Sequence, residues 1–485
     1  MATTAVAAPR LPRPPLFVEL SAGYHPRIGP AYYPMLLYRK VVISLLPDNI
    51  LVDIFRRACA NPGGDTVGLY AAPWSISHVC QAWRNLALRD PNLWVAIVLD
   101  RSKTFGATMQ NTKGYATRIG CIIERSGKGP LFIDFKEGHS QEGCEILFKL
   151  SASSRRWQAV RFSLRLNTVF QGLQRVYGQI PNLQSLQIEI LGSQNEAVNC
   201  FLPLTAFLVA PALRSITKIK SCIEIQLPWH QIEEYCGSSE CSLRDDLIQG
   251  PNLKTYRLRS PAAAARRVLP DLLRPNQIFQ HEHLVTLELD YLQDFALIQL
   301  PALKHLAITR DNGNIYWLLN DIILRLGCTL ETFCGPSNDF TLEDDFRKFL
   351  QACPQLRALQ LVFPKVAWSD SDGVLKALTH PDYSSAGTYL APNLTELTLA
   401  FMPVERSPDA HFKEGLLFHM LLSRSSHRLS RSRAGPDIRP LKKVLLSIPD
   451  FLIPRLPLHC VGQLEGAGME VIYRTWTRRI NHTPA

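Results

Sequence analysis

The sequence predicts a mixed α/β protein in which a short N-terminal helical module precedes an irregular array of helix–strand units. Two observations predict this fold class. Apolar residues recur at helical spacing in residues 46–94, and the pattern Leu-x-x-Leu-x-Leu recurs after residue 130 with helical signals between its copies. The alternative is an ordinary α/β domain with one parallel sheet, because such a domain shows the same alternation.

The helical module consists of two or three short helices. Apolar residues at helical spacing define the first helix, which holds Leu46, Ile50, Leu51, Ile54 and Phe55. Pro47 suits the first helical position because the N–H that it lacks would have no partner there. The second helix ends before Pro91 and holds Ile76, Val79, Cys80, Trp83, Leu86 and Ala87. A module of about 45 residues rarely buries enough apolar surface alone, so a partner or an adjoining domain must cover the rest.

The order of these residues resembles the F-box, the helical module that joins a substrate receptor to the adaptor subunit of SCF-type ubiquitin ligases. The matching pairs are Leu46-Pro47, Val79-Cys80, Trp83-Arg84, Leu86-Ala87 and the run Pro91-Asn92-Leu93-Trp94. Residues 61–72 form a longer segment than the family usually has between these helices. The resemblance implies that the adaptor-facing residues are Leu46, Pro47, Ile50, Leu51, Ile54, Phe55, Val79, Cys80 and Trp83. An ordinary helical cap, with these side chains in its core, is the alternative.

The repeated pattern follows a proline in most copies. Clear copies begin at Leu183, Leu253, Leu284, Leu303, Leu356, Leu394 and Leu441. A plausible first copy begins at Trp157, and imperfect copies begin at Leu213 and Leu330. The last two apolar residues of each copy alternate as on a strand with one buried face, and the proline ends the preceding helix. Residues 341–350 show the expected helix, with a Thr cap, acids in the first turn, and Phe346, Phe349 and Leu350 on one face.

This pattern resembles the leucine-rich repeat, which implies stacked helix–strand units in a curved solenoid with the strands side by side. The spacing between copies varies from 19 residues, between Leu284 and Leu303, to 47 residues, between Leu394 and Leu441. We therefore expect a degenerate array with insertions, and a miscounted copy between Leu284 and Leu303 is one explanation of the shortest spacing.

Residues that alternate with the motif leucines should point out of the strand face. The candidates for binding a target are Arg257, Arg259, Glu288, Asp290, His305 and Glu396. A nucleic-acid surface would carry one sign of charge, whereas this set is mixed and favours a protein ligand. The basic run at residues 424–433 is interpreted as a solvated insertion loop, with an anionic partner or nuclear import as the other possibilities.

Composition limits the remaining classes. The chain has 485 residues, a net charge of +11 and 46% hydrophobic residues, which is enough for a large core. It has no run of about 18 apolar residues, so a membrane span is not expected. Its twelve cysteines form no disulfide framework, which favours the cytosol or nucleus. The nearest approach to a metal motif lacks closely spaced ligands and comprises Cys222, His230, Cys236 and Cys241.

The sequence thus predicts a flexible Pro- and Ala-rich arm (residues 1–40), the helical module (41–97), a linker (98–129) and the repeat array (130–485). No nucleophile, base or metal set appears in a recognisable context, so we expect no catalytic activity, cofactor or metal. The resemblances imply a substrate receptor that binds the SCF adaptor, and through it the cullin scaffold, together with an unidentified target protein. A repeat scaffold in which the helical module is only a cap is the alternative.

Overall fold

The computed structural model describes residues 46–60, 64–68, 70–101, 113–138, 143–192, 203–219, 223–237, 243–258, 278–290, 298–309, 315–337, 343–363, 371–379, 390–401, 414–425, 439–449 and 458–476. The predicted arm at residues 1–40 lies outside these. The chain divides into two compact units, Met1–Leu51 and Val52–Ala485. In the first, the described residues are the start of a helix, where the Pro47 carbonyl accepts hydrogen bonds from the N–H groups of Ile50 and Leu51.

The described residues contain twelve α-helices: α1 (Asp48–Ala60), α2 (Ala72–Val79), α3 (Gln81–Arg89), α4 (Lys113–Arg125), α5 (Gly143–Ser151), α6 (Leu166–Gly172), α7 (Leu243–Gln249), α8 (Tyr316–Leu326), α9 (Glu343–Ala352), α10 (Ser371–Leu378), α11 (Glu414–Ser423) and α12 (Leu458–Gly466). Short 3₁₀ helices occur at Pro91–Trp94, Ser154–Arg156, Leu173–Val176 and Trp229–Gln231.

The strands are β1 (Ala96–Asp100), β2 (Leu131–Lys136), β3 (Trp157–Arg165), β4 (Ser185–Leu191), β5 (Ser215–Lys218), β6 (Glu234–Gly237), β7 (Thr255–Leu258), β8 (Phe279–Gln280), β9 (Thr286–Leu289), β10 (Ile298–Gln299), β11 (His305–Ile308), β12 (Thr332–Pro336), β13 (Ala358–Phe363), β14 (Glu396–Phe401), β15 (Lys443–Pro449) and β16 (Glu470–Trp476). Fourteen of them form one sheet whose order follows the chain from β1 to β16, while β8 and β10 pair separately. Every strand pairing of this sheet among the described residues, such as that of β13 with β14, is parallel. The mixed α/β class is therefore confirmed.

The motif leucines align across the sheet and face its core. Leu287 lies in register with Leu306, and Leu359 with Leu397. All four side chains are buried. The alternation therefore works as predicted, because one face of each strand is covered while the residues between point the other way. The copies opened by Trp157, Leu213 and Leu330 also contain strands, namely β3, β5 and β12.

The shortest spacing, 19 residues between Leu284 and Leu303, does not come from a miscounted copy of the motif. The copies at Leu284 and Leu303 supply β9 and β11, which are adjacent in the sheet. The sequence patterns did not reveal β2, β6 and β16. Helix α4 and the end of β1 lie within the predicted linker, residues 98–129. Buried Ile119 and Ile122 give α4 the apolar face that a linker would not have.

The predicted helix at residues 341–350 is observed as α9, and its Phe346, Phe349 and Leu350 side chains are buried as expected. The proposed Thr341 cap lies outside the described residues. Between the helices and strands, the side-chain amides of Asn182, Asn252 and Asn393 each donate a hydrogen bond to a backbone carbonyl one unit earlier in the chain. These bonds recur because each asparagine occupies the same place in a Pro-Asn-Leu segment.

Residues 64–94 pack against the first edge of the sheet. The Thr66 N–H donates to the Val98 carbonyl at 2.8 Å, and the Val98 N–H donates back to the Thr66 hydroxyl at 2.8 Å. The Arg125 guanidinium of α4 lies 4.6 Å from the Trp74 ring centroid and 4.5 Å from that of Trp94. The first strand therefore has hydrogen-bond partners on the side away from β2, and the unusually long segment at residues 61–72 supplies them.

The prediction of a solvated loop at residues 424–433 is wrong for its first two residues. Arg424 and Ser425 are buried. The Arg424 guanidinium donates to the carbonyls of Leu378, Leu390 and Ala391, and burial lowers the pKa of Arg424 to about 10. Three backbone carbonyls gain a donor in this way, which gives the arginine a structural role. Residues 426–433 lie outside the described part of the chain.

Candidate docking surfaces

The helical module exposes some of its apolar side chains and buries others. Ile54 is 44% exposed and Val79 is 60% exposed, whereas Phe55 is 1% exposed. The Phe55 ring packs against Trp83, with ring centroids 4.8 Å apart, so α1 contacts α3. Burial of Ile54 and Val79 by a partner would remove this apolar surface from water, at about 25 cal/mol for each Å².

The nine residues predicted to face an adaptor are divided by their burial. Leu51 and Phe55 are buried, and their side chains belong to the protein's own core. Leu46 and Trp83 are partly exposed. The remaining five, which are accessible to a partner without rearrangement, are Pro47, Ile50, Ile54, Val79 and Cys80.

The second predicted helix is interrupted at Cys80. This residue is extended, with φ −156° and ψ 170°, and it separates α2 from α3. The Arg84 guanidinium donates to the Ser77 carbonyl at 2.9 Å, which satisfies a carbonyl in the last turn of α2. The break lets Ile76 and Ala87 both be buried, although they lie on different helices. The module thus has three short helices, within the two or three expected, and the residues assigned to the second helix are divided between α2 and α3.

The second surface lies on the strand face opposite the core, where a groove of about 250 Å³ crosses β7 to β14. Small side chains, including Ala307 and Ala358, line its middle strands. Four predicted target-binding residues line it: Arg257, Glu288, His305 and Glu396. The sequence pattern thus identified residues of four separate strands that line the same groove.

Contacts within the groove fix several of these side chains. Arg257 Nε lies 3.3 Å from Glu288 Oε2, and His305 Nδ1 lies 2.7 Å from the Thr332 hydroxyl. Burial, with a smaller effect of the Glu288 carboxylate, raises the pKa of Cys334 to about 11. At neutral pH Cys334 is therefore a thiol, which is a poor nucleophile and a poor metal ligand.

Asp290, another target-binding candidate, does not line this groove. Asp290 is buried and accepts a hydrogen bond from the Thr309 hydroxyl at 2.6 Å, which fits a structural role. Arg259 lies outside the described residues. Thr332 and Cys334 line the groove but were missed, because Leu330 opened an imperfect copy with Gly335 in place of the third leucine. Tolerance of glycine at that position would have found them.

Polar side chains also form two hydrogen-bonded groups on the face of the first strands, which were not predicted. Arg161 Nη1 lies 2.8 Å from Asp134 Oδ2, and Arg161 Nε donates to Gln187 at 3.0 Å. The Ser163 hydroxyl donates to Glu189 at 2.9 Å. A ligand that binds Arg161 or Glu189 there would have to replace these hydrogen bonds.

The described residues also bear on metal binding and on membrane insertion. Within the part of the chain that the structure describes, no group of three or more His, Cys, Asp and Glu side chains is placed to hold a metal ion. No helix among these residues is both long and apolar enough to cross a membrane. A scan against protein-family models found no match, and a search of curated proteins found no relative.

Proposed function

We propose that the protein is a non-enzymatic substrate receptor of an SCF-type ubiquitin ligase. In this proposal the helical module is an F-box that binds the adaptor subunit, and the strand face holds a target protein. Such a receptor acts by position, because it raises the local concentration of target lysines near the charged ubiquitin-transfer enzyme. No residue of the receptor has to react.

The observation that carries the proposal is the exposure of Ile54 and Val79 beside a well-buried core. Two apolar residues on separate helices stay in water while Phe55 and Ile76 are covered. Both exposed positions are among those that match the F-box. Aliphatic side chains left uncovered in a partly buried helical module are typical of a site for a protein partner.

The target-binding half of the proposal is a leucine-rich-repeat solenoid. Its support is the strand order, which follows the chain without reversal across fourteen strands. A doubly wound α/β domain would instead reverse its strand order at a switch point. The recurring asparagine-to-carbonyl hydrogen bonds also favour repeated units. Such an array presents one continuous strand face, along which the groove lies.

The alternative is a repeat scaffold in which the helical module is only a cap. The hydrogen bonds between Thr66 and Val98, and the contact of Arg125 with Trp74 and Trp94, favour a capping role for the buried half of the module. Capping does not require exposed Ile54 and Val79. The two functions therefore differ in what these two side chains contact.

The test is co-purification of the full chain with the SCF adaptor subunit. The variant Ile54→Asp with Val79→Asp should weaken binding at least about 100-fold, because it places two charges in an apolar interface. Thermal unfolding should be unchanged, since both side chains are exposed. The core residues Leu51 and Phe55 are unsuitable for this test, because a charge there would unfold the module.

A matched control changes two exposed apolar residues away from the module. Ile248→Asp with Leu324→Asp alters side chains on α7 and α8 that are 47% and 68% exposed, and it should leave adaptor binding intact. Failure of the folded wild-type chain to bind the adaptor would remove the ligase proposal and leave the scaffold. Equal loss in both double variants would show that binding does not depend on the F-box-like positions.

A further inference from the structure

A row of residues, most of them charged, crosses the sheet where its strands begin. Each residue of the row immediately precedes a strand, from β5 to β15. The N–H of each donates to the carbonyl of the residue before it in the row at 2.7–3.0 Å, so the row follows the order of the strands. We call it the charge row, and its members are Arg214, Glu233, Lys254, Val285, Lys304, Glu331, Arg357, Thr395 and Lys442.

Cations recur at every second strand of the charge row. Neighbouring strands of a sheet lie about 4.8 Å apart, so the backbones of successive cations are about 9.6 Å apart. Glu233 and Glu331 occupy two of the positions between cations, whereas uncharged Val285 and Thr395 occupy the other two. Five cations against two carboxylates give the row a net charge of +3.

The two carboxylates of the row are less exposed than the cations beside them. Lys254 Nζ lies 2.6 Å from Glu233 Oε2, and Lys304 Nζ lies 2.9 Å from Glu331 Oε1. The side chains of Glu233 and Glu331 are 38% and 25% exposed, whereas those of the four flanking cations are 46–59% exposed. Each carboxylate has a cation on both sides, so each group of three keeps one positive charge that is accessible to a partner.

The charge row borders the groove on the strand face. His305 and Ala358 line the groove, and they directly follow Lys304 and Arg357 in the chain. Glu396 also lines it but follows the uncharged Thr395, and no cation of the row is directly followed by an acidic residue. A segment that crosses the strands along the groove would therefore run beside the cations.

We propose that the charge row binds an extended acidic segment of the target protein, with a carboxylate at about every third residue. This inference rests on the proposed function, because it names the chemistry of the target that the strand face holds. In the polyproline II conformation three residues make one turn and rise about 9.3 Å, so every third side chain points the same way. That repeat matches the spacing of cations on alternate strands.

The two acids of the row favour a protein segment over a nucleic acid. A nucleic-acid strand carries a phosphate at every nucleotide, so a strand along the row would bring phosphates close to Glu233 and Glu331. Like charges brought together in this way oppose binding. A protein segment avoids the repulsion, because it can place uncharged residues opposite the two carboxylates and acids opposite the cations.

The test is the binding of labelled peptides to the full chain, measured by fluorescence anisotropy. The probe has five Glu-Pro-Pro repeats, whose prolines favour polyproline II, and the comparison peptide has five Lys-Pro-Pro repeats. The wild type should bind the glutamate peptide at least about tenfold more tightly, because its charges complement the row. A peptide of the same composition with its five glutamates in one block should bind more weakly than the probe, and added salt should weaken binding of the probe.

Charge reversal in the row is the second part of the test. Lys254→Glu with Lys304→Glu should weaken binding of the glutamate peptide at least about tenfold, because two attractive contacts become repulsive. Lys442→Glu should also weaken it, and this cation forms no ion pair with a described residue that its loss would disturb. Thermal unfolding of these variants should stay close to that of the wild type, because the side chains are exposed.

A matched control makes the same change of charge away from the row. Arg325→Glu with Lys348→Glu alters side chains of α8 and α9 that are 60% and 63% exposed, and it should leave peptide binding intact. Equal loss in the row and control variants would overturn the proposal, as would a wild type that binds the glutamate and lysine peptides equally. Tighter binding of a fifteen-nucleotide thymidine strand than of the glutamate peptide would overturn it in favour of a nucleic acid. Adaptor binding is a separate measurement, and its absence beside a retained peptide preference would contradict the ligase role alone.

Discussion

Apolar residues of the periodic patterns differ in burial between the helical module and the large sheet. In the sheet, the residues at the second motif position, such as Leu186, Leu306 and Leu359, are all nearly inaccessible to solvent. In the module, Ile54 and Val79 are exposed although they fit the same kind of periodic pattern as buried Ile76. Periodicity therefore predicts burial well in one region and poorly in the other.

The difference follows from what surrounds each element. A central strand such as β13 has a parallel neighbour on both sides, β12 and β14, so its inward side chains are covered by similar units. The module lies at the first edge of the sheet. Its buried half covers β1, whereas Ile54 and Val79 remain exposed among the residues that the structure describes. The apolar pattern of the module therefore reflects packing within the chain and, if the proposed function holds, contact with a partner.

Loss of a buried side chain should have a large effect on stability, and the first prediction compares one residue of each region. Leu359→Ala should lower the free energy of unfolding by about 2–5 kcal/mol, because the residue is 1% exposed and its removal leaves a cavity. Ile54→Ala should change it by less than about 0.5 kcal/mol. Chemical denaturation of both variants measures the difference. A cost of several kcal/mol for Ile54→Ala would show that this side chain is part of the core.

Phe55→Ala sharpens the same comparison within α1. Phe55 is adjacent to Ile54 in the sequence but is buried against Trp83, so its truncation should cost about 3–5 kcal/mol. The two neighbouring substitutions thus separate a core role from a docking role on one helix. Similar costs for both would remove the distinction on which the proposed docking surface depends.

A smaller effect is expected at the junction between the two regions. Thr66→Val removes the hydroxyl that accepts from the Val98 N–H and donates to the Ala96 carbonyl at 3.1 Å, while keeping the side-chain shape. It should cost about 1–3 kcal/mol, because a buried N–H loses its partner. Thr217→Val is the matched control: its hydroxyl makes no hydrogen bond to any described residue. Equal effects of the two changes would show that Thr66 does not hold the module on β1.

Much of the sheet was predictable, because each motif copy carries its own strand signal. The copies at Leu183 and Leu394 show that proline, asparagine and leucine together mark a strand entry. Strand β6 escaped prediction because Ile232 and Tyr235 replace the usual leucines. Of the docking residues, sequence placed Arg257, Glu288, His305 and Glu396 on one face, but it could not separate buried Leu51 and Phe55 from exposed Ile54. That separation depends on contacts between distant segments.

The smallest expected effect concerns His281, a buried polar side chain in the sheet region. It contrasts with the exposed apolar side chains of the helical module. His281 is 2% exposed, and its Nε2 lies 3.0 Å from the Gly250 carbonyl. Its Nδ1 accepts a hydrogen bond from the Leu284 N–H at 3.2 Å, so the ring is neutral. Burial lowers the pKa of His281, and nearby His283 lowers it further, while the bond to Gly250 and the Glu282 charge oppose this.

Because the pKa is lower in the folded chain, the unfolded chain binds a proton more readily as the pH falls. The stabilisation is therefore fully present above the unfolded pKa of about 6.5 and is lost as the pH falls below it. One proton limits the slope to about 1.4 kcal/mol per pH unit. His281→Gln should lower stability at pH 7.5 yet make the decline between pH 7.5 and 5.5 shallower, measured by denaturation at each pH. Parallel curves for the two proteins would show that His281 does not take up this proton on unfolding.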